Sequence, residues 1–198
     1  KYSLNDFSGA VNDFSRTLEL HPLYVRAYHY RGISNDQLGN YADAKKDYND
    51  AIKLDPYDSE LHIALGSTKL HLNEFEEAIA SFDTALIINP TNANAYINRG
   101  VAKRFLNRLD EAVDDLNKAV YYDFFNVEAL VRRGIIQMER EKYKEAMLDF
   151  NNALKLDSDN PIIYFNRGTV HLNMGDTVSA LKDYERVNNL DENNALTY

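Results

Sequence analysis

Residues 93–126 read ANAYINRGVAKRFLNRLDEAVDDLNKAVYYDFFN, and this stretch decides the fold. Its glycine, Gly100, is the third of five set at one interval: Gly32, Gly66, Gly100, Gly134 and Gly168 are each 34 residues apart. Twelve residues after each glycine stands Ala44, Ala78, Ala112, Ala146 or Ala180. Sixteen after comes a ring or a leucine: Tyr48, Phe82, Leu116, Phe150 and Tyr184. Nineteen after come Ala51, Ala85, Ala119 and Ala153, with Val187 as the departure. Self-similarity at such a period is the signature of a repeat array, in which each unit is one supersecondary element packed on its neighbours.

With the glycine as position 8, the units run 25–58, 59–92, 93–126, 127–160 and 161–194. Residues 1–24 match only the second half of an earlier unit, through Ala10, Phe14 and Pro22. Leu4 to Leu20 has apolar residues at three- and four-residue spacing and predicts a helix, ended by His21-Pro22. Residues 195–198 read as the start of a further first helix. The chain is therefore expected to be one solenoid domain cut from a longer array, with uncapped ends.

Within each unit a first helix is predicted over positions 1–14 and a second helix after position 15. Gly39, Asn73, Asn107 and Gly175 stand at position 15 and tolerate the left-handed backbone that closes a helix. Glu141 fills that place in the fourth unit, where it should be less comfortable. Thr177 stands at position 17 of the fifth unit, where the others carry Tyr41, Phe75, Leu109 or Tyr143, and should weaken packing there. Asp58, Asn92, Asn126 and Asn160 suit the N-cap of the following helix. The glycine and alanine at positions 8 and 20 should let the two helix backbones approach closely. The rings at position 4, Tyr28, Tyr96 and Tyr164, with His62 and Leu130 in the same place, read as core.

This pattern resembles the tetratricopeptide repeat, a helix–turn–helix unit with small residues where its helices cross, and the resemblance covers nearly the whole chain. It implies an all-α fold, a right-handed superhelical solenoid of antiparallel helix pairs. It also implies that first helices line a concave groove in which a protein or peptide partner lies as an extended segment or helix.

Composition narrows the function. The formal net charge is −9 and the pI about 5.0, a balance opposed to nucleic-acid binding, which needs clustered Lys and Arg. No apolar run reaches the length of a membrane span. The absence of cysteine excludes disulfide and thiolate chemistry and suits a reducing compartment, so a cytoplasmic location is expected. No catalytic or metal-binding constellation emerges. His21, His29, His62, His71 and His171 form no helix-spaced pair with a glutamate, and nucleophile elbows and phosphate loops are missing. The acid pairs Glu76-Glu77 and Asp114-Asp115 read as solvated helix faces. The chain is read as a non-enzyme without cofactor.

The inner-face positions that the resemblance implies are 2, 5, 6, 9, 12 and 13. They nominate Arg26, His29, Tyr30, Ile63, Asn94, Asn98, Val101, Arg132, Ile135, Phe165, Asn166 and Thr169 as partner-binding residues. Across all the inner positions three arginines face four acids, so the acidity of the chain lies elsewhere and does not specify what the groove takes. Ile63, Ile97, Val101, Val131, Ile135 and Phe165 make the middle of the groove apolar, although several could instead pack on adjacent helices. Asn98, Arg132 and Asn166 stand at position 6 of consecutive units. They resemble part of the asparagine ladder by which peptide-binding members hold a backbone, since an amide both donates and accepts. The carboxylate clamp for chaperone C-terminal tails is not matched, because Ile63, Ser67 and Glu128 occupy three of its places.

One junction departs from the period. Pro22, Pro56 and Pro90 are followed by Phe124, within Tyr121-Tyr122-Asp123-Phe124-Phe125. Two adjacent phenylalanines in a linker either form an exposed docking patch or fold back onto neighbouring helices, and the second is expected. The functional expectation is an interaction scaffold. The alternatives are the substrate-recruiting arm of a larger enzyme, such as a glycosyltransferase, and a structural spacer that self-associates through its uncapped ends.

Overall fold

The computed structural model describes residues 6–195, with side chains through Leu190. Among the described residues every element is an α-helix. The chain divides into two compact units, residues 1–106 and 107–198, with the boundary between the two helices of the 93–126 repeat.

The first unit holds α1 (Phe7–Leu20), α2 (Val25–Gln37), α3 (Tyr41–Leu54), α4 (Ser59–His71), α5 (Phe75–Ile88) and α6 (Ala93–Phe105). The second holds α7 (Leu109–Tyr122), α8 (Val127–Glu139), α9 (Tyr143–Leu156), α10 (Pro161–Asn173) and α11 (Thr177–Ala195). In each unit a first helix packs on its own second helix, and that helix packs on the next first helix.

The punctuation follows from local chemistry. Asp58, Asn92, Asn126 and Asn160 each accept a backbone N–H of the helix they open. Asn73, Asn107 and Glu141 take φ of 59°, 58° and 59°, beside Gly39 and Gly175 at 76° and 82°. Glu141 thus adopts the left-handed backbone in spite of its side chain. The N–H one residue further on closes the turn: Asn40 donates to the Asn35 carbonyl at 2.8 Å, and Lys142 to that of Gln137 at 2.8 Å.

Two boundaries differ from expectation. The predicted start at Leu4 lies outside the described residues. α1 begins at Phe7, where the Asp6 carboxylate accepts the Gly9 N–H at 2.8 Å. At the other end α11 runs on through Ala195, where a turn and a new first helix were expected. Glu192 stands where Pro22, Pro56 and Pro90 follow earlier second helices, but the lack of proline is not the cause, since α7 and α9 end before Phe124 and Ser158 in the same place. Residues 196–198 lie outside the described residues.

The core repeats with the sequence. Ala44, Ala51, Ala78, Ala85, Ala146 and Ala153 are fully buried, with Tyr48, Phe82 and Phe150 beside them. The role of the glycines needs correction. Their close contact is a ring of the second helix. A Cβ on Gly32 would lie 2.7 Å from Tyr48 Cε1, on Gly66 2.5 Å from Phe82 Cε1, and on Gly134 2.7 Å from Phe150 Cε1. Each ring therefore fills the space that a side chain at position 8 would occupy. The rings at position 4 tie first helices to the preceding turn. Tyr96 Oη donates to the Pro90 carbonyl at 3.2 Å and Tyr164 Oη to that of Ser158 at 3.0 Å, while His62 Nε2 lies 3.0 Å from the Pro56 carbonyl.

A recurring ion pair joins the helices and was not anticipated. Arginine at position 7 grips aspartate at position 23 of its own repeat. Arg31 Nη2 donates to Asp47 at 2.6 Å, Arg133 Nη2 to Asp149 at 2.6 Å and Arg167 Nη2 to Asp183 at 2.6 Å. The same guanidinium groups reach the preceding second helix, through Ser15, Asn117 and Asn151. The bond to Asp47 holds the Arg31 guanidinium above its ordinary pKa, and the bond to Asp183 does the same for Arg167. Asp115 occupies the position of these aspartates and is buried, so its reading as a solvated acid is corrected. The second repeat departs, with Leu65 and Ser81 in the two places.

Candidate functional site

The surface of interest is built by the first helices. In the first unit α4 touches both α2 and α6, and in the second α8 touches α10. Within each unit α2, α4, α8 and α10 pack on their own second helices and leave another stripe beside the neighbouring first helices.

In the first unit Arg26 and Asn94 are exposed, and Tyr30 is largely so. His29 is half-buried, stacked on Tyr30 at 5.7 Å and edge-on to Tyr48 at 6.0 Å. Burial lowers the His29 pKa, against the attraction of Asp58 and Glu60. A buried polar seam runs beneath. Tyr48 Oη donates to Asp36 Oδ2 at 2.8 Å, and Thr68 Oγ1 lies 3.0 Å from both carboxylate oxygens. Burial raises the Asp36 pKa, against these two hydrogen bonds. Asn98 donates to Ser67 Oγ at 3.4 Å, and Val101 is partly buried. Two expected groove residues are corrected: Ile63 is 9% exposed and Ile97 1%, so both belong to the packing between helices.

In the second unit the first helices enclose a groove of about 450 Å³. Val131, Ile135 and Ile162 supply apolar surface, and Glu128, Arg132 and Asn160 polar groups. Val131 and Ile135 also pack on the core around Phe150, which fixes them. Arg132 Nε donates to Glu128 Oε1 at 2.7 Å. Further along α10, Phe165 is exposed, its ring 5.8 Å from that of Tyr184. Thr169 Oγ1 lies 2.9 Å from the Phe165 carbonyl and 3.2 Å from Tyr184 Oη. Asn166 Nδ2 donates to the Ile162 carbonyl of its own helix at 2.7 Å. Asn98, Arg132 and Asn166 thus each spend a donor within the chain, and Asn98 belongs to a different unit from the other two.

Sequence reasoning omitted Asp157 and Asn160 from the groove, because they lie in the turn before α10 and not at an inner helical position. Asn160 reaches the groove as the cap of α10, and its Nδ2 donates to Asp157 Oδ2 at 2.9 Å. The expectation for the Phe124–Phe125 junction is reversed. The two rings are 71% and 72% exposed and meet each other edge-on at 5.5 Å between centroids. Neither is folded under a neighbouring helix.

Among the described residues no group of three histidines or acids could hold a metal ion, and no buried side-chain nitrogen or oxygen lacks a hydrogen-bond partner. No described helix is long and apolar enough to cross a membrane.

Family comparisons agree along the chain. Models described as tetratricopeptide repeat match residues 1–59, residues 37–96, and residues 93–126 with 162–194, and one described as TPR repeat matches residues 134–175. No curated protein sequence matches. Among solved structures, a tetratricopeptide repeat protein from Parabacteroides merdae is 23% identical with a TM-score of 0.81, over 94% of this chain and 74% of that one. The structure of MamA is 21% identical with a TM-score of 0.76, over 84% of this chain and 97% of that one. YrrB, described as a TPR protein with an unusual peptide-binding site, is 18% identical with a TM-score of 0.69, over 89% and 91%.

Proposed function

Because the chain belongs to the tetratricopeptide-repeat family, we propose that it is a protein-interaction scaffold whose first-helix surface holds an extended peptide or helix of a partner. The observation that carries this reading is the α8–α10 groove. Its volume of about 450 Å³ suits partner side chains, and Val131 and Ile135 on its wall are packed against the core behind them. A pre-ordered apolar recess with polar groups at its rim binds at small entropic cost. The peptide-binding description of YrrB supports the same class of partner.

Rim chemistry specifies the mode of contact. The Glu128–Arg132 pair is solvent-exposed and therefore weakly held, so either group can turn to a ligand. Ile162 is exposed beside them and supplies the contact most easily removed without harm to the core. The chain acts by holding and orienting its partner, without chemistry of its own.

A display library of random peptides selected on the intact chain tests this reading. Ile162→Glu should weaken the selected peptides by about 30-fold, the scale of losing an apolar hot spot. Asn166→Ala should have a smaller effect. Selection of the same peptides at unchanged affinity by Ile162→Glu would place binding elsewhere and defeat the proposal.

A further inference from the structure

The α8–α10 groove has an uneven rim. Glu128, Arg132 and Asp157 stand on it, and two carboxylates against one guanidinium leave it one charge negative. The guanidinium is already engaged, because Arg132 Nε and Nη2 both lie 2.7 Å from Glu128 Oε1. Asp157 accepts the Asn160 Nδ2 at 2.9 Å, a neutral donor, and among the described residues no cationic side chain pairs with it. Lys155, two residues earlier in α9, donates instead to Asn152 at 3.0 Å and lines a separate recess with Val120 and Leu156. Arg186 is held by Asp159 at 2.9 Å.

The donors that would receive an anion are spent. Pro161 opens α10 without an N–H, and the Ile162 N–H is capped by Asn160 Oδ1 at 3.0 Å. In α8 the Ala129 N–H is taken in the same way by Asn126 Oδ1 at 2.9 Å. The groove therefore offers acceptors, since each carboxylate has about four lone-pair sites and few of them are filled.

Resting on the reading of this groove as a peptide site, we propose that it selects segments of a partner protein in which an aliphatic side chain is accompanied, one or two residues away, by lysine or arginine. The aliphatic side chain packs on Val131, Ile135 and Ile162, and the cation meets the rim carboxylates. Successive residues of an extended chain advance about 3.3 Å, so both side chains reach one groove of about 450 Å³. A basic residue brings the rim to neutrality and breaks nothing. An acidic one meets two carboxylates and must open the Arg132–Glu128 pair to find a partner. Charge complementarity of this kind sets specificity more than raw affinity.

A random peptide display library panned on the intact chain, with the bound sequences read out, tests the inference. Lysine or arginine should be enriched over aspartate and glutamate within two residues of an aliphatic position. A selected peptide, labelled and followed by anisotropy, should bind Asp157→Asn about fivefold more weakly, the scale of one rim ion pair. Asparagine fits that turn, since Asn89 holds the same place in the second repeat and accepts the Thr91 N–H at 3.3 Å. The same peptide with its basic residue changed to methionine should lose a similar factor on the parent and be indifferent to Asp157→Asn. Ile162→Ser, which adds no charge, reports separately on the groove. Peptides weakened by Ile162→Ser that show no basic enrichment, or that bind Asp157→Asn as tightly as the parent, would overturn this inference while the groove reading stands. Enrichment of acidic residues would overturn it as well and assign the rim to Arg132. Peptides indifferent to Ile162→Ser, or no selection at all, would defeat the groove reading and this inference with it.

Discussion

Replacing Arg133 with leucine tests what holds the repeats together. The Arg133 guanidinium spans three helices: Nε and Nη2 donate to Asp149 at 2.9 and 2.6 Å, and Nη1 donates to Asn117 at 2.9 Å. Asp149 is 3% exposed, so removing the cation strands a carboxylate that water barely reaches. Breaking a buried pair from one side costs about 3–5 kcal/mol. Arg133 keeps 18% of its side-chain exposure, which allows some rehydration and places the expectation near 3 kcal/mol. The chain carries its own control. In the second repeat the two positions are Leu65 and Ser81, and the Ser81 hydroxyl donates to the Glu77 carbonyl of its own helix at 3.1 Å. Transplanting that solution, Arg133→Leu with Asp149→Ser, should return stability to within about 1 kcal/mol of the parent. Urea unfolding followed by circular dichroism measures the change. Amide exchange in α8 and α9 locates it, since coupled repeats need not unfold in two states. A single variant within about 1 kcal/mol of the parent, or a double variant no more stable than the single, would refute the reasoning.

Two further perturbations address the core and the inner surface. Gly66→Ala places a Cβ 2.5 Å from Phe82 Cε1, so overpacking of about 1–3 kcal/mol should outweigh the gain of about 1 kcal/mol in helix propensity. Adding Phe82→Leu, which copies the residue type at Leu116, should relieve it; thermal melts that rank the double variant below Gly66→Ala would contradict this. His29 has a folded pKa below its ordinary 6.5 because burial disfavours the charged ring. As the pH falls through 6.5 the unfolded chain takes the proton first, so stability is lost on the acid side and retained above it. His29→Gln should flatten that part of the melting profile between about pH 7 and 5, and a profile of unchanged slope would show that His29 titrates alike in both states.

The 34-residue period, the caps and the alternation of first and second helices were legible in the sequence, because each rests on local chemistry. A glycine or asparagine at position 15 closes a helix, and an aspartate or asparagine at position 34 opens the next, whatever lies around them. Even Glu141 keeps the turn, because the hydrogen bond from Lys142 to Gln137 and the packing of both helices enforce it. Of the nominated inner positions, Arg132 and Ile135 line the α8–α10 groove. Other inner positions are not open: Ile63 and Ile97 point towards the right side of the helix and are still enclosed by neighbours.

Tertiary structure decided everything that depends on two elements meeting. The arginine at position 7 and the aspartate at position 23 are visible as repeated letters, but their bonding appears only when residues sixteen apart on adjacent helices are laid together. The same holds for the rings beneath the glycines, for Asn160 at the rim of the α8–α10 groove, and for the exposure of Phe124 and Phe125. Sequence by itself determined which helices form, because propensity, capping and period act within a few residues of one another. Only the packed chain decided which side chains those helices bury, because burial depends on what a neighbouring helix already fills.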